Sequence, residues 1–517
     1  MLRTGAAYLD ALDDGREVYL GGRRVRSVAD DPAFAGTART VASLYDSLSS
    51  GEAVKNPPTD ENGEPYNPCW LRPKTQEDLA KRRELHQAWA NISYGLFGRS
   101  PDHVSSFITG MACDPQVSPS ADGQFERNIV DYWRYARDRD LFVAYAIVPP
   151  GGEKGREAVV GGGRVDPNDP TRTAALRVVR ETDSGVIVRG TKTLATGAVL
   201  ADELLVGNIL PLGPGEEDFA VTFTTPIAAP GLKVISRKAF AEHAQSSLDD
   251  PLSSRFDETD AVVFFDDVLI PWNRVFSYRD LEAGRALFYD TPAHALGNAQ
   301  AHIRLLTKMS LMLAGLRAMT VEIGTVNVGP VRDVVASMVV RVAMLDAMVK
   351  AEEINPHHWP SGFVSHDLQA LYATMAWSAE YYTEFVLGIR EMMGSHIFQQ
   401  PADASAFDDE VTSKLLMDAL HVGRSVDDAR YRYKLIKLLW DLVGSEFASR
   451  HIQYEMFYAG PKHVTRGRSA HFFRWDKADR LLERALAETG NEAAADGSQN
   501  GLQADSGHTT IESGVAR

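Results

Sequence analysis

Cysteine is nearly absent from this chain: Cys69 and Cys113 are the two thiols in 517 residues. Two thiols cannot build a disulfide framework, a four-thiolate zinc site or an iron–sulfur cluster held by three or more thiolates. They suit a reducing cytoplasm, the expected location. Long apolar runs are also missing. The stretches Met309–Met319 and Val334–Val349 contain Arg317, Arg341 and Asp346, so neither nears the ~18 clean residues of a membrane span. The opening Met-Leu-Arg-Thr-Gly lacks the apolar stretch of a signal peptide. Basic charge is in deficit, with 54 Lys and Arg against 70 Asp and Glu and a net charge of −16. Such a surface repels phosphate backbones and anionic lipid, and the densest basic cluster, Arg23 to Arg26, is too short to reverse that. Neither nucleic acid nor membrane is an expected partner.

Several catalytic signatures are absent too. There is no phosphate-binding Gly-x-x-x-x-Gly-Lys loop, no Gly-x-Ser-x-Gly elbow and no His-Glu-x-x-His helix. Gly161–Gly163 follows an apolar pair but lacks dinucleotide spacing and runs into Pro167 and Pro170, so the chain carries no nicotinamide domain of its own. His357, His358 and His366 crowd a proline-flanked stretch with no carboxylate at ligand spacing. A solvated loop is the better reading, and no metal site is expected.

What remains is an ordinary globular composition, 44% hydrophobic and 24% charged, long enough for about three structural units. Residues 1–140 read as mostly helical: Thr75–Gly95 and Phe125–Asp138 have helical character, after a hairpin of Glu17–Leu20, Gly21-Gly22 and Arg23–Val28. Residues 141–278 carry short Val-, Ile-, Phe- and Thr-rich runs between turn residues, which predicts a compact barrel-like β-domain. Residues 279–488 turn helical, with Met309, Met312, Leu313, Leu316 and Met319, and then Val335, Met338, Val342, Leu345 and Val349, at spacings of three and four. Such stripes predict a helical bundle and intersubunit packing. Residues 489–517 hold almost no large apolar side chain and are expected to be disordered.

The most informative stretch is Ser93-Tyr94-Gly95-Leu96-Phe97-Gly98-Arg99-Ser100-Pro101-Asp102-His103. A glycine-flanked arginine, a turn and a histidine can form a polar clamp in an aromatic pocket. The same residues also suit a surface turn with Arg99 opposite a helix C-terminus.

Here the chain resembles the family of 4-hydroxyphenylacetate 3-monooxygenase oxygenase components. The likeness is carried by Tyr8-Leu9, Asp14–Tyr19 and Pro32–Phe34, by Tyr94-Gly95 with Gly98–Asp102, and by Glu181–Gly185, Gly190–Lys192 and Ala195-Thr196. It continues through Pro251–Glu258, Val268–Trp272, Lys437–Asp441, Gly444–Phe447 and Arg450-His451. The resemblance implies an α+β, mainly α, acyl-CoA dehydrogenase-like fold: helical N-terminal domain, central β-domain, C-terminal four-helix bundle. It implies a homotetramer or homodimer that takes reduced FAD from a separate NAD(P)H:flavin reductase. Through a C4a-hydroperoxyflavin formed with O2, it implies hydroxylation of a phenolic substrate resembling 4-hydroxyphenylacetate. Chloro- or nitrophenols, and phenols or arylamines of natural-product synthesis, are the alternatives. A non-catalytic scaffold of the same shape is the alternative of another class.

By the same resemblance Arg99 stabilises the phenolate. A phenol of pKa ~10 needs roughly 3 units, or ~4 kcal/mol, to ionise at neutral pH, and two charge-assisted hydrogen bonds at ~1.5–3 kcal/mol each can supply it. The family has tyrosine four residues after this arginine and histidine on the first β-domain strand; here the types are exchanged, as His103 and Tyr145. His103 is then the base and Tyr145 the donor. His302, in Ala301–Arg304, stands near a region where related members use a histidine, and also reads as a core residue. Tyr145, Pro150, Gly151, Thr196, Gly444, Ser445, Glu446 and Phe447 are the implied flavin-binding positions. The glycine-rich Gly151–Arg172 segment is expected to act as a lid.

Overall fold

The computed structural model describes residues 2–150, 165–166, 169–244 and 246–489. The expected disordered tail, Gly151 and the glycines of the expected lid lie outside the described residues.

Helices α1 (Gly5–Ala11), α2 (Ala35–Ser49), α3 (Gln76–Ile92), α4 (Pro101–Cys113) and α5 (Gln124–Arg139) precede most of the strands. Their ends are written in the sequence. Thr75 and Asp78 form a reciprocal capping box on α3, and Ser100-Pro101 opens α4 with proline in the first turn, where no amide hydrogen is needed. Strands β1 (Val18–Leu20) and β2 (Arg23–Arg24) form the predicted hairpin, with a second arm shorter than expected. The remaining larger strands are β3 (Val143–Ala146), β4 (Val165–Asp166), β5 (Asp169–Thr173), β6 (Arg177–Thr182), β7 (Gly185–Lys192), β8 (Glu203–Val206), β9 (Val221–Pro226), β10 (Leu232–Ser236), β11 (Ala261–Pro271) and β12 (Val275–Tyr278).

The expected barrel is seen as two sheets, of order β2-β1-β10-β11-β7-β6 and β12-β9-β8-β3, with β4 and β5 paired apart. β1 runs parallel to β10, Val18 opposite Val234, so the N-terminal region supplies the edge of the larger sheet. An isolated bridge between Val148 and Thr193 links the segments that follow β3 and β7.

Beyond α6 (Ser253–Phe256) and α7 (Ala283–Tyr289) come α8 (Ala293–Glu322), α9 (Gly329–Ile354), α10 (Leu368–Met393), α11 (Glu410–Leu420), α12 (Val426–Val443), α13 (Glu446–Phe457), α14 (Lys462–His471) and α15 (Trp475–Thr489). α8, α9, α10 and α12 pack as a four-helix bundle, and Met309, Met312, Leu316 and Met319 are buried along α8 as their spacing predicts. Together with the sheets and the N-terminal helices, this is the α+β, mainly α, arrangement that the resemblance implied. α9 is apolar on two sides: Met338, Leu345 and Val349 are buried, while Val339, Val340 and Met344 are exposed. His357-His358 is strand rather than loop, paired with Val364-Ser365, and no cluster of metal-ligating side chains occurs among the described residues. Residues to Ala470 form one compact unit; those from His471 form a second, of which α15 is the described helix.

Candidate active site

The loop Ser93–Ser100 exists because of two close approaches. Gly95 has φ of +68°, and a Cβ there would stand 2.0 Å from the Arg304 carbonyl oxygen of α8. At Gly98 a Cβ would meet the Tyr454 ring of α13 at 2.4 Å. Glycine at both positions lets the loop lie against two helices of the C-terminal half. Arg99 is thereby held inside the protein, 7% exposed, rather than on a surface turn.

The Arg99 guanidinium lies between two rings, 5.1 Å from the centroid of Tyr145 and 5.1 Å from that of Tyr454. It donates to the Tyr454 hydroxyl and to the Gly98 carbonyl. Burial opposes its charge, and the two tyrosines and Glu258 more than offset that. Both phenols are pushed up by burial, against the pull of Arg99; Tyr454 reaches about 12. Both tyrosines are therefore neutral donors at neutral pH.

His103, in the first turn of α4, is 1% exposed. Its ring lies 5.7 Å from Tyr145 and 5.2 Å from Phe107. Nδ1 meets the Gln300 Oε1 atom at 3.1 Å, and Nε2 has no hydrogen-bond partner among the described residues. Burial first, then Arg99, lowers its pKa well below the ordinary 6.5, so the ring is neutral. Arg99, His103 and Tyr145 are thus brought together by three separate elements: a loop, α4 and β3. His294 of α8 extends the aromatic wall, 4.9 Å from Tyr289 and 6.2 Å from Phe107, and its nitrogens are held by Tyr372 and Arg468 at 3.0 Å each.

Two buried charge networks hold this site. The Arg99 amide donates to Glu258 at 2.8 Å, and Glu258 also accepts from Arg450 at 2.6 Å. Arg450 bridges onward to Asp260 at 2.6 and 2.9 Å, and Asp260 accepts the Thr196 hydroxyl at 2.6 Å. The expected flavin threonine and the expected substrate arginine therefore share one scaffold. Behind Tyr454, Glu455 accepts from Arg304 at 2.6 and 2.8 Å and from Lys308. Burial raises the Glu455 pKa, but Arg304 and Lys308 override it and bring it to about 2.

The other expected positions are placed as follows. His302 is fully buried in the bundle, Nδ1 on Glu352 at 2.8 Å and Nε2 on the Tyr458 hydroxyl at 3.1 Å. The path from it to Arg99 runs through the stacked pair Tyr458–Tyr454. Gly444 packs against Trp440, Ser445 caps α13, Glu446 pairs with Lys238, and Phe447 lies against Phe240 and His451. Gly444 and Ser445 shape the α12–α13 turn, and Glu446 and Phe447 tie α13 to the segment that follows β10. Thr196 joins the Arg99 network through Asp260, and the bridge between Val148 and Thr193 holds the segment that runs on to Pro150. Thr193 donates to the Val148 carbonyl at 2.8 Å, and a Cβ at Gly197 would stand 3.3 Å from Phe142 and 3.6 Å from the Arg99 carbonyl oxygen. A threonine side chain, a glycine backbone and an apolar strand end around this cradle fit the edge of a flat ring system.

Gln300, Glu258, Tyr454 and His294 were not reached from the sequence. Glu258 closes the Pro251–Glu258 match, and Tyr454 lies one helical turn after Arg450. Those two carried a signal; Gln300 and His294 carried none.

Residues 4–277 match the family model described as 4-hydroxyphenylacetate 3-hydroxylase N terminal, and residues 285–487 match the corresponding C terminal model. The chain is 32% identical over 466 residues to the pyoverdin chromophore biosynthetic protein PvcC of Pseudomonas aeruginosa, covering 89% of each. It is 32% identical over 500 residues to the 4-hydroxyphenylacetate 3-monooxygenase oxygenase component of Escherichia coli, covering 94% of this chain and 92% of that one. A Streptomyces globisporus monooxygenase named for a 3-chloro-4-hydroxyphenyl substrate on a peptidyl-carrier protein is 32% identical over 473 residues, with 90% and 86% covered. A crystal structure of the oxygenase component HpaB complexed with FAD and 4-hydroxyphenylacetate superposes with a TM-score of 0.87 at 28% identity, covering 95% of this chain and all of that one.

Proposed function

Because this chain belongs to the 4-hydroxyphenylacetate 3-hydroxylase family, we propose that it is the oxygenase component of a two-component monooxygenase, hydroxylating a phenol with reduced FAD and O2. The observation that carries the reading is the buried Arg99, held by Tyr145 and Tyr454 near His103, whose Nε2 has no partner among the described residues. A fixed cation and a free acceptor at one place suit a phenolic O–H. Arg99 stabilises charge on the oxygen, His103 accepts the proton, and the neutral Tyr145 hydroxyl donates to the oxygen as charge builds. Low local polarity strengthens each contact.

Thr196, Tyr145 and the strand end at Pro150 would hold the isoalloxazine edge, and the bound flavin supplies the activated oxygen. Glu258 and Arg450 keep the two halves of the site in register. Electrons come from a separate NAD(P)H:flavin reductase, in keeping with a sequence that has no nicotinamide motif. A para-substituted phenol like 4-hydroxyphenylacetate is the first substrate choice. The exposed apolar side of α9, with Val339, Val340 and Met344, supports assembly into a dimer or tetramer. The two reduced cysteines suit the cytoplasm.

The test supplies photochemically reduced FAD and air to the purified protein and screens substituted phenols for a hydroxylated product. Oxygen-dependent ortho-hydroxylation is expected. A protein that neither binds reduced FAD nor converts any phenol has another function.

A further inference from the structure

We propose that Gln300 is a positioning residue: it locks neutral His103 in the tautomer with hydrogen on Nδ1, leaving Nε2 as an acceptor that admits only ligands presenting a hydrogen to it. The proposal rests on reading the Arg99–His103–Tyr145 pocket as the phenol site, and adds the device that sets its selectivity.

The tautomer follows from a chain of hydrogen bonds that can run in one direction only. Ser100 Oγ donates its single hydrogen to Asp102 Oδ1 at 2.5 Å. Toward Gln300, 3.0 Å away, Ser100 is therefore an acceptor. Asp102 Oδ1, at 3.3 Å from the same Gln300 atom, is an acceptor as well. The other carboxylate oxygen is held by His86 Nδ1 at 2.7 Å. Two acceptors on one side oblige Gln300 to turn its amide nitrogen toward them and its carbonyl oxygen toward His103. That oxygen, 3.1 Å from Nδ1, needs a hydrogen there. The reversed amide would set its oxygen against a carboxylate. All five side chains are 6% exposed or less, so no solvent rearranges the relay. His103 has one hydrogen to place, and the relay fixes it on Nδ1.

Nε2 is then a buried lone pair without a partner among the described residues. A phenol satisfies it and an aryl methyl ether does not, leaving the acceptor unpaired in a dry site. When the phenol reacts, its O–H bond breaks as an N–H bond forms at Nε2, the electron pair staying on the oxygen beside Arg99. The imidazolium keeps its Nδ1–H on Gln300. With Arg99 adjacent, that imidazolium is tolerable only while the oxygen is negative, so proton removal is tied to an occupied site.

The test is ¹⁵N NMR of histidine-labelled protein without flavin, the His103 signals being identified by their loss in His103→Asn. The Nδ1-protonated signature is expected in the unsubstituted protein. Gln300→Leu should shift it toward the Nε2-protonated form and weaken 4-hydroxyphenylacetate binding about tenfold. An Nε2-protonated His103 in the unsubstituted protein, or an unmoved tautomer in Gln300→Leu, overturns the proposal. Calorimetry with 4-hydroxyphenylacetate and its methyl ether separates the two readings. If the phenol fails to bind while the tautomer behaves as expected, the pocket's assignment to phenols is lost and the role of Gln300 on His103 stands.

Discussion

Arg99 owes its position to residues far away in sequence. Its charge survives burial because Tyr145 and Tyr454 cover both sides and Glu258 holds its backbone. Arg99→Ala removes a charge-assisted contact of about 1.5–3 kcal/mol from the phenolate oxygen. Hydroxylation at neutral pH should fall roughly ten- to a hundredfold, with more of the consumed oxygen appearing as hydrogen peroxide. Product and peroxide yields on the same sample check this, and an unchanged ratio removes Arg99 from its role. Arg99→Lys should not rescue, since a compact ammonium cannot reproduce the planar donor set of the guanidinium. At this scale the sequence was informative about residue types. The exchange of His103 and Tyr145 is visible in it, and the structure sets their rings 5.7 Å apart. Gln300 was invisible, because a glutamine on a helix has no pattern until its neighbours are known.

Among the elements, the Ser93–Ser100 loop joins α3 to α4 and carries the strictest steric demands in the site. Gly95→Ala places a methyl 2.0 Å from the Arg304 carbonyl at a φ of +68°. Backbone strain and overpacking together should lower stability by about 2–4 kcal/mol. Urea unfolding followed by circular dichroism measures it; a midpoint unchanged from the parent protein would mean that α8 does not press on this loop. The same contact ties Arg99 to the bundle, so activity should drop with stability. Sequence reading found α3, α5 and most strands because capping residues and apolar spacing are local. It expected a barrel where two sheets form, and loop where His357-His358 pairs as strand. Strand partnership is a long-range choice, and run length alone carries no register.

For the molecule as a whole, buried ionisable groups make stability depend on pH. His103, His294 and His451 all have pKa values well below the ordinary 6.5, mainly through burial. The unfolded chain takes up protons on them near 6.5 and the folded chain does not. Stability is therefore full above that value and falls as pH drops below it, by up to about 1.4 kcal/mol per pH unit for each histidine. Glu455 acts lower: its carboxylate, ordinarily at 4.5 and here at about 2, stabilises the fold above 4.5 and loses that contribution as pH falls through about 2. Thermal unfolding between pH 8 and 5 should show a falling midpoint below about 6.5. A flat profile would mean that these histidines are hydrated in solution.

By itself the sequence determined the order of textures, the approximate spans of α3 and α5, the resemblance, and the presence of Arg99, His103 and Tyr145. Each depends on neighbours a few residues apart or on a motif readable along the chain. Only the tertiary structure decided that Glu258 and Arg450 join Thr196 to Arg99, that both nitrogens of His302 are engaged, by Glu352 and Tyr458, and that Gln300 faces His103. Those facts arise where separate elements meet. There, burial turns ordinary polar residues into obligatory hydrogen-bond partners, and no local spacing records which ones will meet.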